Sequence, residues 1–145
     1  MLKTILLVED NEDDVVFMRR AIKHAAVTES VQVVTDGQDA VDYLAGIGKF
    51  EDRRQYPMPR IVLLDLKLPR KGGLEVLQWI RSQPRLSRII VLVLSTSRER
   101  SDIVKAYELG ANAFLVKPPA YQQLAEMVEA IKIFWLGFNE FVLPE

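Results

Sequence analysis

With 145 residues, 49% of them hydrophobic and 27% charged, the chain has the length and composition of one globular domain with a sizeable core. A formal net charge of −1 gives no electrostatic case for nucleic acid or an anionic membrane, and the absence of cysteine together with a single histidine, His24, excludes disulfides, thiolate chemistry and multi-histidine metal sites. No apolar run approaches a membrane span, and the start Met1-Leu2-Lys3-Thr4 lacks the layout of a signal peptide, so a cytoplasmic protein is expected.

Thr4-Ile5-Leu6-Leu7-Val8 is an apolar run too short for a helix, which reads as a strand buried on both faces. It ends in Glu9 and Asp10. Asn11 suits an N-cap, and Glu12, Asp13 and Asp14 suit the first turn of a helix running to about Ala26, with Val15, Met18, Ile22 and Ala25 as its inner stripe. Val15 to Met18 are all apolar and cannot all face inward from one helix, so at least one is expected at the surface. Val31 to Val34 form a second strand, turned by Asp36-Gly37 into a short helix from about Gln38 to Ala45. Gly46 to Arg60, with two Gly and two Pro among its charges, reads as a long surface loop. Ile61-Val62-Leu63-Leu64 is a buried strand ending in Asp65. A helix from Gly73 to Ser82, a strand Ile89–Leu94 ending in Ser95 and Thr96, and a helix from about Glu99 to Leu109 follow. Ala113-Phe114-Leu115-Val116 is the fifth strand, ending in Lys117-Pro118-Pro119. The last helix runs from about Tyr121 to Trp135, with Leu124, Met127, Ile131 and Phe134 on one face, and is expected to stop at Gly137.

Five repeats of strand then helix imply an α/β fold, a parallel sheet with helices on both faces and right-handed crossovers. In such a sheet the carboxyl ends of the strands lie along one edge. Glu9, Asp10, Asp65, Ser95, Thr96 and Lys117 therefore converge. Three clustered carboxylates repel one another and one lysine cannot neutralise them, whereas a hard divalent cation can; oxygen ligands without Cys or His point to magnesium. The hydroxyls and the ammonium then suit a phosphoryl group.

These residues carry a resemblance. Leu7-Val8-Glu9-Asp10-Asn11, Leu64-Asp65-Leu66-Lys67-Leu68-Pro69 with Gly72-Gly73, Leu94-Ser95-Thr96 and Phe114-Leu115-Val116-Lys117-Pro118, in that order on those strand ends, resemble the receiver domain of two-component response regulators. The resemblance implies a flavodoxin-like doubly wound sheet of order 2-1-3-4-5. It implies that Asp65 accepts a phosphoryl group from a sensor histidine kinase, by magnesium-dependent chemistry. Glu9, Asp10, Asp65 and the backbone carbonyl of Lys67 would hold the magnesium. Ser95, beside Thr96, and Lys117 would contact the acyl phosphate, Phe114 would act as a switch residue, and the Lys117–Pro118 bond would be cis. Glu9 stands where many members carry Asp, Phe114 where many carry Tyr, and Pro119 where an aromatic is common. The loop 46–60, the lack of an output domain and the ending Ile133-Phe134-Trp135-Leu136 resemble the single-domain regulators that partner bacterial phytochromes.

An aspartate-nucleophile phosphatase would place a second acid where Lys67 stands. A flavodoxin would have a neutral phosphate loop where Glu9 to Asp14 stand. A receiver-like module that binds without being phosphorylated is the remaining alternative. The division expected is a receiver over 1–136 and an apolar tail over 137–145. The tail carries Phe138, Phe141, Val142 and Leu143, and either folds back or crosses to a partner in a homodimer. The face made by the fourth helix, fifth strand and fifth helix is the other expected dimer surface.

Overall fold

The computed structural model describes residues 3–142. Strands β1 (Thr4–Val8), β2 (Ser30–Val34), β3 (Ile61–Leu64), β4 (Ile90–Ser95) and β5 (Ala113–Val116) alternate with helices α1 (Glu12–His24), α2 (Gly37–Ala45), α3 (Gly73–Ser82), α4 (Arg100–Glu108) and α5 (Tyr121–Ile131). All neighbouring strands are parallel and the order is β2-β1-β3-β4-β5, the flavodoxin-like arrangement expected. Leu143 of the tail lies outside the described residues.

The alternation of side chains along each strand divides the core in two. Leu6, Val8, Val62 and Leu64 pack with Ala40, Val41 and Leu44 of α2 and with Val76, Leu77 and Ile80 of α3. Ile5, Leu7, Ile61 and Leu63 pack with Met18, Ala21 and Ile22 of α1 and with Val128 and Ile131 of α5. β1 and β3 are buried throughout, as apolar runs at the centre of a covered sheet must be. Helix α4 buries only Ala106, so it rests lightly on the sheet.

Two stretches differ from the sequence expectation. Loop 46–60 is a packed element: it contains a 3-10 turn, Gly48–Phe50, and Phe50 is buried. The rings of Phe50 and Tyr56 pack against Tyr43 of α2, the first tilted and the second edge-on, with centroids 5.2 and 5.9 Å away. The Arg53 guanidinium donates to the carbonyls of Tyr43 (2.7 Å) and Leu44 (2.9 Å), satisfying the open C-terminal end of α2. At the other end of the chain, the helix does not stop at Gly137. It widens into a π-helix over Lys132–Phe138, and Asn139 follows as its cap. This wider turn rotates Phe134 off the inner stripe, leaving it 55% exposed. Trp135, Leu136 and Phe141 pack on the α1/α5 side of the core. The Arg60 guanidinium covers the Phe141 ring at 4.4 Å.

Candidate functional site

The carboxyl ends of the strands bring Glu9, Asp10, Asp65, Lys67, Thr96 and Lys117 to one cleft, which Ser95 does not line. Glu9 and Asp65 continue adjacent strands: the Asp65 N–H donates to the Val8 carbonyl at 3.1 Å, and the Glu9 N–H to the Val34 carbonyl at 3.0 Å. Both carboxylates are buried and Asp10 is exposed. One carboxylate oxygen from each of the three lies within 4.8 Å of the others.

Lys117 reaches in from the end of β5. Its ammonium donates to Glu9, to Asp65 Oδ2 at 3.0 Å and to Asp14 Oδ2 at 3.2 Å. Asp14 is the residue that the sequence reading assigned only to a helix start. It lies in the first turn of α1, where Asn11 caps the helix by accepting from the Asp14 N–H at 3.0 Å, and one helical turn aims it back at the strand ends. Its acidic type is already accounted for by the helix start, so the sequence carries no separate signal for it.

The charges do not balance: Glu9, Asp10, Asp14 and Asp65 face one ammonium. Burial pushes the Glu9 carboxyl up from 4.5 to about 7, with neighbouring Asp65 adding to the rise and the Lys117 hydrogen bond opposing it. Burial works against the Lys117 ammonium, but its hydrogen bond to Glu9 and the charge of Asp65 outweigh that and hold it protonated. A buried carboxylate pair short of positive charge, with oxygen donors only, fits a hard divalent cation. Asp65 Oδ1 also accepts from the Lys67 N–H at 3.2 Å, which sets the Lys67 peptide beside the carboxylate.

The hydroxyl at the end of β4 is fully buried. Ser95 Oγ accepts from the Ser97 N–H at 3.1 Å, and Ser97 Oγ in turn donates to Asp102 of α4 at 2.6 Å. Thr96 is exposed and lines the acidic cleft with Asp10, Asp14 and Lys67. Phe114 is half-buried on β5, and its N–H donates to the Tyr107 hydroxyl of α4 at 3.1 Å.

One site expectation is corrected. There is no cis peptide bond among the described residues, so Lys117–Pro118 is trans. Trans is the more stable isomer of an X–Pro bond by about 0.5–1 kcal/mol, and in this form Lys117 already meets Glu9, Asp14 and Asp65.

Residues 5–129 match the response regulator receiver domain family. The chain is a response regulator receiver. The receiver is 40% identical over 135 residues to the probable methanogenesis regulatory protein FilR2 of Methanothrix harundinacea, covering 93% of this chain and 84% of that one. It is 39% identical over 134 residues to the response regulator Rcp1 of Synechocystis, covering 92% and 89%. The phosphorylated cyanobacterial phytochrome response regulator RcpA superposes with a TM-score of 0.90 at 39% identity, over 97% of this receiver and 99% of that chain. A solved form of Rcp1 is Mn2+-bound, so a relative with this fold takes a divalent metal. No helix of the described receiver is long and apolar enough to cross a membrane.

Proposed function

We propose that this receiver is a phosphoacceptor: Asp65 takes a phosphoryl group from the phosphohistidine of a sensor histidine kinase, and the phosphorylated protein signals through protein–protein contacts. The observation that carries this reading is one buried carboxylate, Asp65, held 3.0 Å from the Lys117 ammonium and flanked by Glu9 and Asp10.

In the transfer, an Asp65 carboxylate oxygen forms a bond to phosphorus. The phosphorus–nitrogen bond of the phosphohistidine breaks, and its electron pair returns to the imidazole. Glu9, Asp10, Asp65 and the Lys67 carbonyl would hold magnesium, which when bound neutralises charge on the phosphoryl oxygens. Lys117 supplies a second positive charge, held against Asp65 at 3.0 Å. Ser95 Oγ acts only as an acceptor toward Ser97, which leaves its proton to donate to a phosphoryl oxygen. Thr96 stands beside it at the cleft. Ser95 pairs in register with Val116, and Phe114 lies two residues earlier on the same strand. Movement of Ser95 toward the phosphoryl group therefore repacks Phe114 and the face made by α4, β5 and α5.

The likeness to the phytochrome response regulator RcpA supports a phytochrome as the kinase, and the cytoplasm is the compartment this reading assigns. A homodimer is supported by surplus apolar surface, with Val104 and Tyr107 exposed on α4 and Ile133, Phe134, Phe138 and Val142 exposed along the C-terminal segment. In this division the receiver unit spans 1–136, and 137–145 is the contact segment.

The test is incubation with magnesium and a small phosphodonor, then with a candidate kinase. The wild type gains a phosphoryl group that hydroxylamine removes, as it removes any acyl phosphate, and Asp65→Asn gains none. Uptake by Asp65→Asn at the wild-type rate would show that another residue is the acceptor. An unlabelled wild type would leave a module that binds without phosphorylation.

A further inference from the structure

The turn from Asp65 to α3 contains a residue in an unfavourable conformation. Arg70 has φ 67°, the left-handed region where the Cβ of any residue but glycine crowds the following carbonyl. The turn around it is tight: the Lys71 N–H donates to the Pro69 carbonyl at 2.7 Å and the Gly73 N–H to the Leu66 carbonyl at 2.9 Å.

What holds Arg70 there comes from another element. Its guanidinium Nη1 lies 3.0 Å from Asp36 Oδ2 and 3.8 Å from Asp39 Oδ1, both at the start of α2. Asp36 is buried, and its other oxygen caps α2 by accepting from the Asp39 N–H at 2.7 Å. The backbones meet at the same place. The Gly37 N–H donates to the Pro69 carbonyl at 3.2 Å, and a Cβ on Gly37 would lie 1.7 Å from the Lys71 carbonyl oxygen. β2 and β3 are not neighbours in the sheet; β1 lies between them. The Arg70 contact therefore ties the turn carrying Asp65 and Lys67 to the turn after β2, on either side of the β1 end that carries Glu9 and Asp10.

From this juxtaposition we infer that Arg70 is a positioning residue for the cation site: its ion pairs with Asp36 and Asp39 hold the turn after β3 in the shape in which the Lys67 N–H meets Asp65 Oδ1, the turn that would offer the Lys67 carbonyl to the cation. The inference rests on the reading of the Asp65 site given above. An ion pair as exposed as this one, with the Arg70 side chain 56% accessible, adds little to global stability. Its effect is local, added to the backbone hydrogen bonds of Pro69 and Leu66 that also close this turn.

The test compares magnesium affinity by titration calorimetry with the melting temperature, on the full chain. Arg70→Ala keeps the Cβ and its strain and removes the ion pairs. Its melting temperature changes little, while its magnesium affinity falls roughly tenfold, the low end of what loss of an outer partner costs a metal site. Asp36→Asn, which keeps the capping oxygen and loses the charge, weakens affinity in the same direction. Arg70→Lys recovers most of it, because one nitrogen makes both contacts and a lysine can supply one. Wild-type affinity in Arg70→Ala, or a loss that Arg70→Lys does not recover, overturns the inference and leaves the site reading intact. A wild-type chain that binds no magnesium overturns the site reading itself, and this inference with it.

Discussion

Asp65, Glu9 and Lys117 were legible as residues because each ends an unmistakable buried strand, and a parallel sheet sends strand ends to one edge. Asp14 was not, because its acidic type is fully explained by a helix start; only the phase of α1 relative to β1 shows that it reaches Lys117. The trans Lys117–Pro118 bond was equally out of reach, since the sequence of an X–Pro pair leaves both isomers within about 1 kcal/mol. Away from the site, Tyr43 is a residue whose surroundings can be checked by pH. It is fully buried, and its hydroxyl donates to the Pro57 carbonyl at 2.7 Å. Burial pushes its phenol up from 10.0 to about 12, with Arg53 opposing the shift. The folded state thus keeps the proton longer than the unfolded chain does. The stability this confers is complete below about pH 10 and is lost as pH rises through about 12. In denaturant melts, Tyr43→Phe is expected to be less stable than wild type at neutral pH by about 1 kcal/mol, the worth of one hydrogen bond. It should also fall less steeply between those two pH values. Parallel pH profiles for the two proteins would contradict this account of Tyr43.

Among elements, the strands and α3 were readable to within a residue because apolar runs and helical spacing carry strong local signals. The segment 46–60 was not, because its order comes from contacts far along the chain. Nothing local says that Phe50 and Tyr56 pack against Tyr43, or that Arg53 closes the end of α2. Composition rich in Gly, Pro and charge describes its ends and misses its middle. Phe50→Ala should therefore cost about 3–5 kcal/mol of unfolding free energy, as for a core aromatic, and not the few tenths typical of a surface loop. Chemical denaturation measures it, and a loss under 1 kcal/mol would return 46–60 to the surface-loop reading. The C-terminal end of α5 taught the same lesson in the other direction. Gly137 looks like a helix stop, yet the chain passes through it in a π-helix whose cap, Asn139, donates its N–H to the Phe134 carbonyl at 2.8 Å.

At the scale of the whole molecule, the fold places chemistry and contact surfaces at different ends of the same elements. The acidic cleft lies at the carboxyl edge of the sheet, and α4, which follows Ser95, exposes Val104 and Tyr107. Phe141 is docked on its own domain under Arg60, whereas Phe134 and Phe138 remain 55% and 77% exposed. Covering each such side chain is worth roughly 1.5–3 kcal/mol. The full chain is expected to sediment as a dimer and a truncation ending at Leu136 as a weaker one; a monomeric full-length protein, or equal dimers, would remove the C-terminal segment from the interface. The central claim is the phosphoryl transfer to Asp65, and the most direct measurement is borohydride reduction of the phosphorylated wild type followed by peptide mapping. Reduction converts an aspartyl phosphate to homoserine. The account predicts homoserine at position 65 and at no other aspartate; homoserine elsewhere, or a phosphorylated protein that yields none, would contradict it.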